Sequence, residues 1–245
     1  MPSTRRLVIA SVVALLAGLV VSFPARVAYH WFAPPGIALS GISGSVWRGT
    51  ARQANVSGLY LGELRWRLRP LDLVRARASF DIDASPAGGV LDGNVAIGIG
   101  GDVYLADTRT ALPLDAITTL LQMPGLRGTA TADIERLHLS DGLPVAADGN
   151  AEVRGLVLPL VSPQTIGGYR IEFFTQEDGV VASVEDTDGV VDIAGRLLLS
   201  DDRNYEFLGQ LAPKPETPSN VADQMRFLGS PNARGQYELR LEGTL

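Results

Sequence analysis

The chain has 245 residues, of which 46% are hydrophobic, and it carries a formal net charge of −6. This acidic balance argues against nucleic acid as a partner and against tight docking on anionic lipid head groups. Cysteine is absent, so the sequence excludes disulfides, thiolate nucleophiles and cysteine-ligated metal sites.

The first predicted element is a membrane anchor at the N-terminus. An apolar run of 17 residues from Leu7 to Phe23 contains no charge and no proline, and Arg5 and Arg6 precede it. As a helix it would be about 26 Å long, the lower limit for spanning a hydrocarbon core. Aromatic and amphipathic residues follow at positions 29–32. We predict a single-pass anchor over residues 7–32, with residues 1–6 in the cytoplasm and the bulk of the chain across the membrane.

A cleaved signal peptide is the competing interpretation of this segment. The apolar run is longer than a usual signal core, and residues 24–28 lack a clean small-x-small cleavage site, so we favour an uncleaved anchor. Only Arg5, Arg6 and Arg26 carry charge before residue 33, which leaves 18 basic and 27 acidic side chains, net −9, on the exported 213 residues. That length is enough for one large or two small domains.

Beyond the anchor, apolar and polar residues alternate with the period of two that is typical of strands with one buried face. The clearest case runs from Leu64 to Arg69, where leucine and tryptophan share one face and three arginines share the other. Similar alternation occurs over residues 76–82, 95–99, 169–173, 205–207 and 237–241, with Gly and Asp at the intervening turns. The sequence therefore predicts a mainly β fold with antiparallel hairpins.

Two segments have helical spacing instead, and they suggest an internal duplication. Their apolar stripes are Leu114, Ile117, Leu120 and Leu121 in the first, and Val221, Met225 and Leu228 in the second. A shift of 107 residues places Leu121, Pro124, Arg127, Gly128 and Glu135 on Leu228, Pro231, Arg234, Gly235 and Glu242. We predict two copies of one unit, residues 37–139 and 143–245, each with about five strands, one short helix and a final strand. Ser219 or Asn220 is the expected N-cap of the second helix.

No predicted element assembles a catalytic or metal-binding set. His30 lies in the membrane-exit segment, and His138 is expected on the solvated face of a strand, without a nucleophile beside it. The acidic stretch 185–189 lacks the remaining ligands of a calcium loop and is better explained as a hairpin turn. We therefore expect no enzymatic activity, no catalytic residue, no metal site and no cofactor.

A basic stripe remains open to two interpretations. Arg65, Arg67 and Arg69 share one strand face, and Arg75 and Arg77 continue it. The stripe could be an electrostatic docking surface, but cross-strand pairing with acidic residues such as Asp81 and Asp83 is the favoured explanation.

Several motifs together resemble type II secretion system protein N. The pattern Gly-x-x-Gly-[Thr/Ser]-[Leu/Val]-Trp-x-Gly is similar to residues 41–49, and a Leu-Gly-x-Leu-x-Trp-x-Leu-x-Pro-Leu strand is similar to residues 61–71. Leu112-Pro113-Leu114 and Leu126-Arg127-Gly128 match the middle of the family pattern, and residues 227–231, 235–239 and 243–245 match its ending. One departure is Arg75-Ala76-Arg77, where the family more often has a Gly-Arg pair. The positions that carry the resemblance are Gly41, Gly44, Trp47, Gly49, Leu61, Gly62, Leu64, Trp66, Pro70, Leu126, Gly128, Leu228, Gly229, Pro231, Gly235, Tyr237, Leu239 and Gly243.

The resemblance implies an inner-membrane accessory subunit of the Gram-negative type II protein secretion machinery, with its β domain in the periplasm and other secretion subunits as partners. It carries over no catalytic residues. The alternative is an envelope lipid-binding or lipid-transfer protein, whose strands would curl into a groove lined by Trp66, Leu68, Phe80, Ile82, Ile171 and Phe173. An apolar cleft along the sheet would favour lipid transfer, and a closed core between paired sheets would favour a binding subunit.

Overall fold

One antiparallel sheet contains every strand that the structure describes. The computed structural model describes residues 11–12, 15, 18–33, 36–118, 123–159, 162–200 and 202–244. The strands are β1 (Ile37–Ser40), β2 (Ser43–Gly44), β3 (Arg48–Val56), β4 (Leu59–Arg69), β5 (Arg77–Ala84), β6 (Val90–Gly98), β7 (Val103–Pro113), β8 (Arg127–Ser140), β9 (Leu143–Val157), β10 (Gly167–Gln176), β11 (Gly179–Asp186), β12 (Val191–Ser200), β13 (Asn204–Pro213) and β14 (Tyr237–Thr244). From β3 onward each strand pairs with the next in sequence, β1 pairs with β3 on the other side, and β2 is a short branch on β3. The mainly β, antiparallel prediction is confirmed.

Among the described residues, the helical segments with defined bounds are short. The two α-helices with defined bounds are α1 (Ala25–Phe32) and α2 (Ser219–Met225), and 3-10 turns occur at Pro70–Arg75, Pro86–Gly88, Leu114–Ile117 and Arg226–Leu228. The predicted cap of α2 is wrong, because the helix begins one residue early. Pro218 is the N-cap, and its carbonyl accepts the N–H groups of Val221 and Ala222 at 2.9 and 3.0 Å. Leu120 and Leu121 of the first predicted helix lie outside the described residues.

The N-terminal segment is described only in part. Residues 18–21 are helical, and Leu7, Arg5 and Arg6 of the predicted anchor lie outside the described residues. Within the part of the chain that the structure describes, no helix combines the length and the apolar character needed to cross a membrane.

The meander gives the sheet two different ends. The connections after β4, β6, β8, β10 and β12 lie at one end, here called the hairpin end, and all of them are short. The connections after β5, β7, β9, β11 and β13 lie at the opposite end, here called the helix end, which also holds α2. The longest connections, those after β7, β9 and β13, therefore all lie at the helix end.

The two faces of the sheet differ as the alternation predicted. Trp66 pairs with Ile82, Phe80 with Val95, Leu105 with Leu137, Ile171 with Val184, and Phe207 with Leu241, so the apolar residues of successive strands share one face. Arginines and carboxylates share the other face, as in the pairing of Arg65 with Asp83. Register shifts between β3 and β4, β6 and β7, β8 and β9, and β9 and β10 bend this sheet.

Three clusters of buried residues lie on the apolar face of the sheet. Near the N-terminus, Ala25 of α1 packs with Ile42 and Ala51, and with the half-buried Tyr29 and Trp66. A neighbouring cluster joins Ala54, Leu61 and Ala84, and a third joins Val191, Val221 and Met225 under α2. Between these clusters most residues of the apolar face are only half-buried, because no described strand forms a second layer above them.

The two edges of the sheet are unlike each other. At the β1 edge, the hydroxyl of Tyr29 donates to the carbonyl of Ile37 at 3.0 Å and accepts the N–H of Leu39 at 3.1 Å. Tyr29 therefore occupies backbone groups that face away from β3. At the other edge, β14 pairs with β13 on one side, and no described strand lies on its other side.

Candidate functional site

An apolar groove lies between α2 and the apolar face of the sheet, and it is here called the α2 groove. Its volume is about 520 Å³, within the range of small-molecule and lipid sites. The side chains that line it are almost all hydrophobic: Leu156, Leu158, Ile166, Tyr169, Val184, Val191, Ile193, Phe207, Leu211, Val221, Gln224, Met225, Leu228 and Leu239. The helix contributes Val221 and Met225, both buried, one helical turn apart on the face that meets the sheet.

The loop before α2 is fastened to the sheet by a small polar network. Lys214, the only lysine of the chain, donates from Nζ to Oδ2 of Asp186 at 2.5 Å. The hydroxyl of Thr217 donates to the carbonyl of Val190 and accepts the N–H of Lys214. These contacts hold the chain on both sides of Pro215 against the β11–β12 turn, and they position α2 over the groove.

The network shifts the acidity of its members in opposite directions. Burial opposes ionisation of Asp186, but hydrogen bonds from Lys214 and from the N–H of Ile193 outweigh it, so the pKa of Asp186 is below its ordinary value. Hydrogen bonding to Asp186, together with burial, raises the pKa of the neighbouring Asp192. The hydrogen bond to Asp186 also raises the pKa of Lys214. Lys214 and Asp186 therefore form a charged pair at neutral pH.

Tyr169 forms part of the groove wall beside this network. Its hydroxyl donates to the carbonyl of Ile166 at 3.1 Å, and burial, followed by the charges of Asp186 and Asp188, raises its pKa to about 12. A phenol that stays protonated and engaged with the backbone in this way acts as a structural hydrogen-bond donor rather than as a proton-transfer group.

The edge strand β14 offers a second type of site. Its outward row of backbone groups is accompanied by Glu238, Arg240 and Glu242 on the polar face, and Arg240 pairs with Glu206 of β13 at 2.9 Å. On the apolar face Leu241 is half exposed, and Phe227, in the preceding 3-10 turn, is 90% exposed. Such an edge can accept a further strand from a partner.

A third arrangement joins the N-terminal segment to the sheet, and it contains several of the family-pattern residues. The indole N–H of Trp47 donates to the carbonyl of Val20 at 2.8 Å, and the indole N–H of Trp66 donates to the carbonyl of Val46 at 3.2 Å. Gly49 is required by close approach, since a Cβ at this position would lie 2.4 Å from the Trp66 ring. These residues lock the β2–β3 turn between residues 19–23 and strand β4.

The remaining pattern residues mostly shape the backbone. Gly44 and Gly62 have positive φ angles, and a side chain on either would meet a backbone carbonyl at 2.5 or 2.6 Å. Leu61 and Leu126 are buried, whereas Tyr237, Leu239 and Leu228 pack on or line the α2 groove. The other members lie at turns or strand ends: Gly41, Pro70, Gly128, Gly229, Pro231, Gly235 and Gly243. The structure therefore divides the pattern between the N-terminal junction and the α2 groove, instead of bringing it together in one site.

The predicted polar candidates form pairs rather than a reactive set. Asp81 binds Arg69 at 2.6 Å, which confirms cross-strand pairing for part of the basic stripe. The prediction of a solvated His138 is wrong, because its ring stacks on Tyr104 with 4.2 Å between centroids and its Nε2 is shielded from solvent. Asp102 lies 3.6 Å from that nitrogen, beyond hydrogen-bond distance. Among the described residues, no group of three potential metal ligands is present.

Sequence reasoning missed two contributors. Lys214 and Asp186 are 28 positions apart, so periodicity could not pair them, although a single lysine in an arginine-rich chain is a compositional signal. Phe207 was recognised as a strand residue, but its position beneath α2 depends on the order of the strands in the sheet.

Comparisons with known proteins agree along the chain. The family model described as Type II secretion system (T2SS), protein N matches residues 35–240. Proteins named Type II secretion system protein N from Aeromonas hydrophila and from Vibrio cholerae serotype O1 are each 27% identical, over 248 and 240 aligned residues, and the alignments cover 95% and 94% of both chains. A third, from Aeromonas salmonicida, is 38% identical over 47 residues, which is 19% of this chain and all of that relative. No solved structure matches. The resemblance inferred from the motifs is confirmed, and the chain belongs to the type II secretion system protein N family.

Proposed function

We propose that this protein is a non-enzymatic accessory component of the type II secretion machinery, which acts by binding other inner-membrane secretion subunits through its β domain. Family membership supports the role in secretion. The observation that best supports a binding mechanism is the open edge of β14, where Tyr237–Thr244 pair with β13 alone among the described strands. Backbone groups on such an edge can pair with an extended segment of a partner.

We further propose that the N-terminal run anchors the protein in the inner membrane and leaves the β domain in the periplasm. The positive charge of Arg5 and Arg6 before Leu7–Phe23 supports this orientation. The contacts of Val20 with Trp47, and of Phe23 with the N–H of Val46 at 3.0 Å, would fix the end of the anchor on the sheet.

We also infer that the sheet arose by duplication. Strands β4 to β8 and β10 to β14 repeat one order: four antiparallel strands, a helical segment, and a final strand. The helical segments, Leu114–Ile117 and α2, each direct buried apolar side chains towards the sheet. A common order of elements supports the two units, 37–139 and 143–245, that the nearly constant sequence offset predicted.

Photo-crosslinking in cells tests the edge mechanism. A benzophenone amino acid in place of Tyr237 on β14 should capture a type II secretion subunit. The same substitution at Tyr60, which is exposed but lies on the interior strand β4, should capture none. Equal capture from both positions, or capture from Tyr60 alone, would contradict recognition through the β14 edge.

A lipid-binding function is the second candidate, and the α2 groove is the specific observation that favours it. The apolar face continues across the sheet without a second described layer, and the groove offers about 520 Å³ with almost entirely hydrophobic walls. An acyl chain placed there would be removed from water along most of its length.

Native mass spectrometry of the full chain, purified from membranes, tests this second candidate. Leu239 lines the groove, whereas Leu241 lies two residues further along the same face of β14, outside it. Leu239→Arg should abolish any co-purifying lipid, and Leu241→Arg should leave it unchanged. Lipid retained by both variants, or absent from the unaltered protein, would count against a lipid-binding groove.

A further inference from the structure

Large apolar side chains are exposed at two neighbouring tips of the hairpin end. In the turn between β4 and β5, Leu71 and Val74 are 83% and 88% exposed, and Leu73 is 45% exposed. In the next turn at this end, between β6 and β7, Ile99 is 88% exposed. These four residues are here called the tip patch. Exposed apolar side chains that cluster in this way mark surfaces that contact protein or membrane.

Strand register places the tip patch at the end of the sheet where the N-terminal segment joins it. The N–H of Leu68 donates to the carbonyl of Trp47 at 2.8 Å, and Arg69 pairs with Ser79, directly before the first tip. Arg77 in turn pairs with Gly98, next to Ile99. Trp47 also contacts Val20, so residues 18–23 of the predicted anchor meet the sheet at the same end as the first tip, and the second tip is the next one along that end.

Three arginines, Arg69, Arg75 and Arg77, lie beside the first of these tips. The 4.0 Å contact of Arg75 with Asp72 leaves the Arg75 side chain 82% exposed. Arg69 binds Asp81, and Arg77 lies over the Tyr104 ring at 4.0 Å. Asp72 and Asp102 also lie in these two turns, and the turns further along the sheet carry Asp141, then Glu177 and Asp178, then Asp202 with Arg203.

We propose that the tip patch is a second membrane contact, which inserts Leu71, Val74 and Ile99 into the interfacial region of an anionic phospholipid bilayer beside the anchor. Exposed apolar side chains beside an exposed arginine such as Arg75 suit the boundary between acyl chains and anionic head groups. The proposed anchor already holds the chain at the bilayer, so this contact does not require the whole domain to be attracted to anionic head groups. The inference rests on the proposed anchoring of the chain in the membrane.

The absence of cysteine makes a depth measurement direct, since one introduced cysteine gives a unique label. The full chain is reconstituted in vesicles of phosphatidylethanolamine and phosphatidylglycerol, with an environment-sensitive dye on Val74→Cys, Leu19→Cys or Leu241→Cys. Leu19 reports the anchor, and Leu241 is half exposed but lies on the edge strand farthest from β1. Quenchers placed on the lipid acyl chains should quench the dye at 74 several-fold more strongly than at 241.

The outcomes separate this inference from the anchor itself. If the dye at position 19 is quenched, but the dye at position 74 is quenched no more than the dye at position 241, the tip contact is overturned and the anchor stands. Absence of quenching at both 19 and 74 would overturn both proposals. As a second readout, the double substitution Leu71→Glu and Val74→Glu should reduce the lipid quenching of a dye on Ile99→Cys, because it should remove the tip patch from the bilayer. Unchanged quenching at 99 in that variant would also overturn the tip contact.

Discussion

At the scale of single residues, close approach and local charge explain most of the positions singled out above. Gly49 allows the ring of Trp66 to lie against strand β3, and this contact brings the indole N–H of Trp66 to the carbonyl of Val46. Lys214 and Asp186 join two segments 28 residues apart. Such residues act through the geometry of their neighbours rather than through reactivity.

Gly49→Ala should destabilise the fold by about 2 kcal/mol, because the added methyl would overlap the Trp66 ring and the carbonyl of Ser43. Urea unfolding followed by tryptophan fluorescence measures the change. Gly100→Ala is the matched control, since nothing lies within 4 Å of its Cβ position, and its effect should stay within about 0.5 kcal/mol. Equal stability of the two variants would contradict the close-approach argument.

Lys214→Met should lower stability at pH 7 by about 1 kcal/mol, because it leaves Asp186 without its charged donor. The folded-state pKa of Asp186 lies below its unfolded value. The ionised carboxylate therefore contributes stability above the unfolded pKa of about 4, and this contribution is lost as pH falls through the folded-state pKa. The raised pKa of Asp192 acts in the opposite sense, since it favours the fold at low pH.

Unfolding free energies measured from pH 7 down to pH 3 check this prediction. The difference between the unaltered protein and Lys214→Met should be largest near neutrality and should shrink below about pH 4. Lys214→Arg should preserve most of the pH dependence. A difference that stays constant over the whole range would show that the pair contributes through packing alone.

At the scale of elements, the strands were largely predictable and their arrangement was not. The alternation of Leu64, Trp66 and Leu68 with arginines defines both faces of β4, because a strand has a side-chain period of two. The same pattern does not show which strands are neighbours, so it is compatible with both a closed core and an open groove. The α2 groove depends on long-range register and on the Lys214 contact, neither of which leaves a periodic trace.

The docking of α2 provides a prediction at this scale. Met225→Ala should cost about 2 kcal/mol or more, because Met225 is buried against Val191 and Val221. It should also accelerate amide hydrogen exchange within α2 and around Val191. Asp223→Ala on the same helix removes only an exposed ion pair with Arg226 at 3.4 Å, and its effect should stay within about 0.5 kcal/mol. Comparable exchange in both variants would contradict the packing of α2 on the sheet.

At the scale of the whole molecule, each strand of the sheet contacts mainly its sequence neighbours, much as the units of a repeat protein do. Distant strands are therefore coupled only through the strands between them. The three tryptophans, Trp31, Trp47 and Trp66, all lie near the β1 edge, so their fluorescence reports one side of the sheet. Circular dichroism in the far ultraviolet reports all strands together.

Val181→Ala tests whether distant strands unfold independently, because Val181 is fully buried in β11 and lies far along the sheet from the tryptophans. The substitution should destabilise the distal strands by about 2 kcal/mol. The midpoint measured by circular dichroism should fall, while the midpoint measured by fluorescence should change little. Equal shifts of both midpoints would mean that the sheet unfolds as one cooperative unit.

The Tyr29 hydroxyl, bound to the carbonyl of Ile37 and the N–H of Leu39, makes the two edges of the sheet unequal as sites for adding a further strand. If both edges of the sheet were free, copies of the chain could pair edge to edge in an open-ended row and form a fibre. Because Tyr29 occupies the β1 edge, the strand pairing proposed for β14 would have no counterpart at the opposite edge. A chain that pairs in this way would therefore end a row of strands instead of extending it.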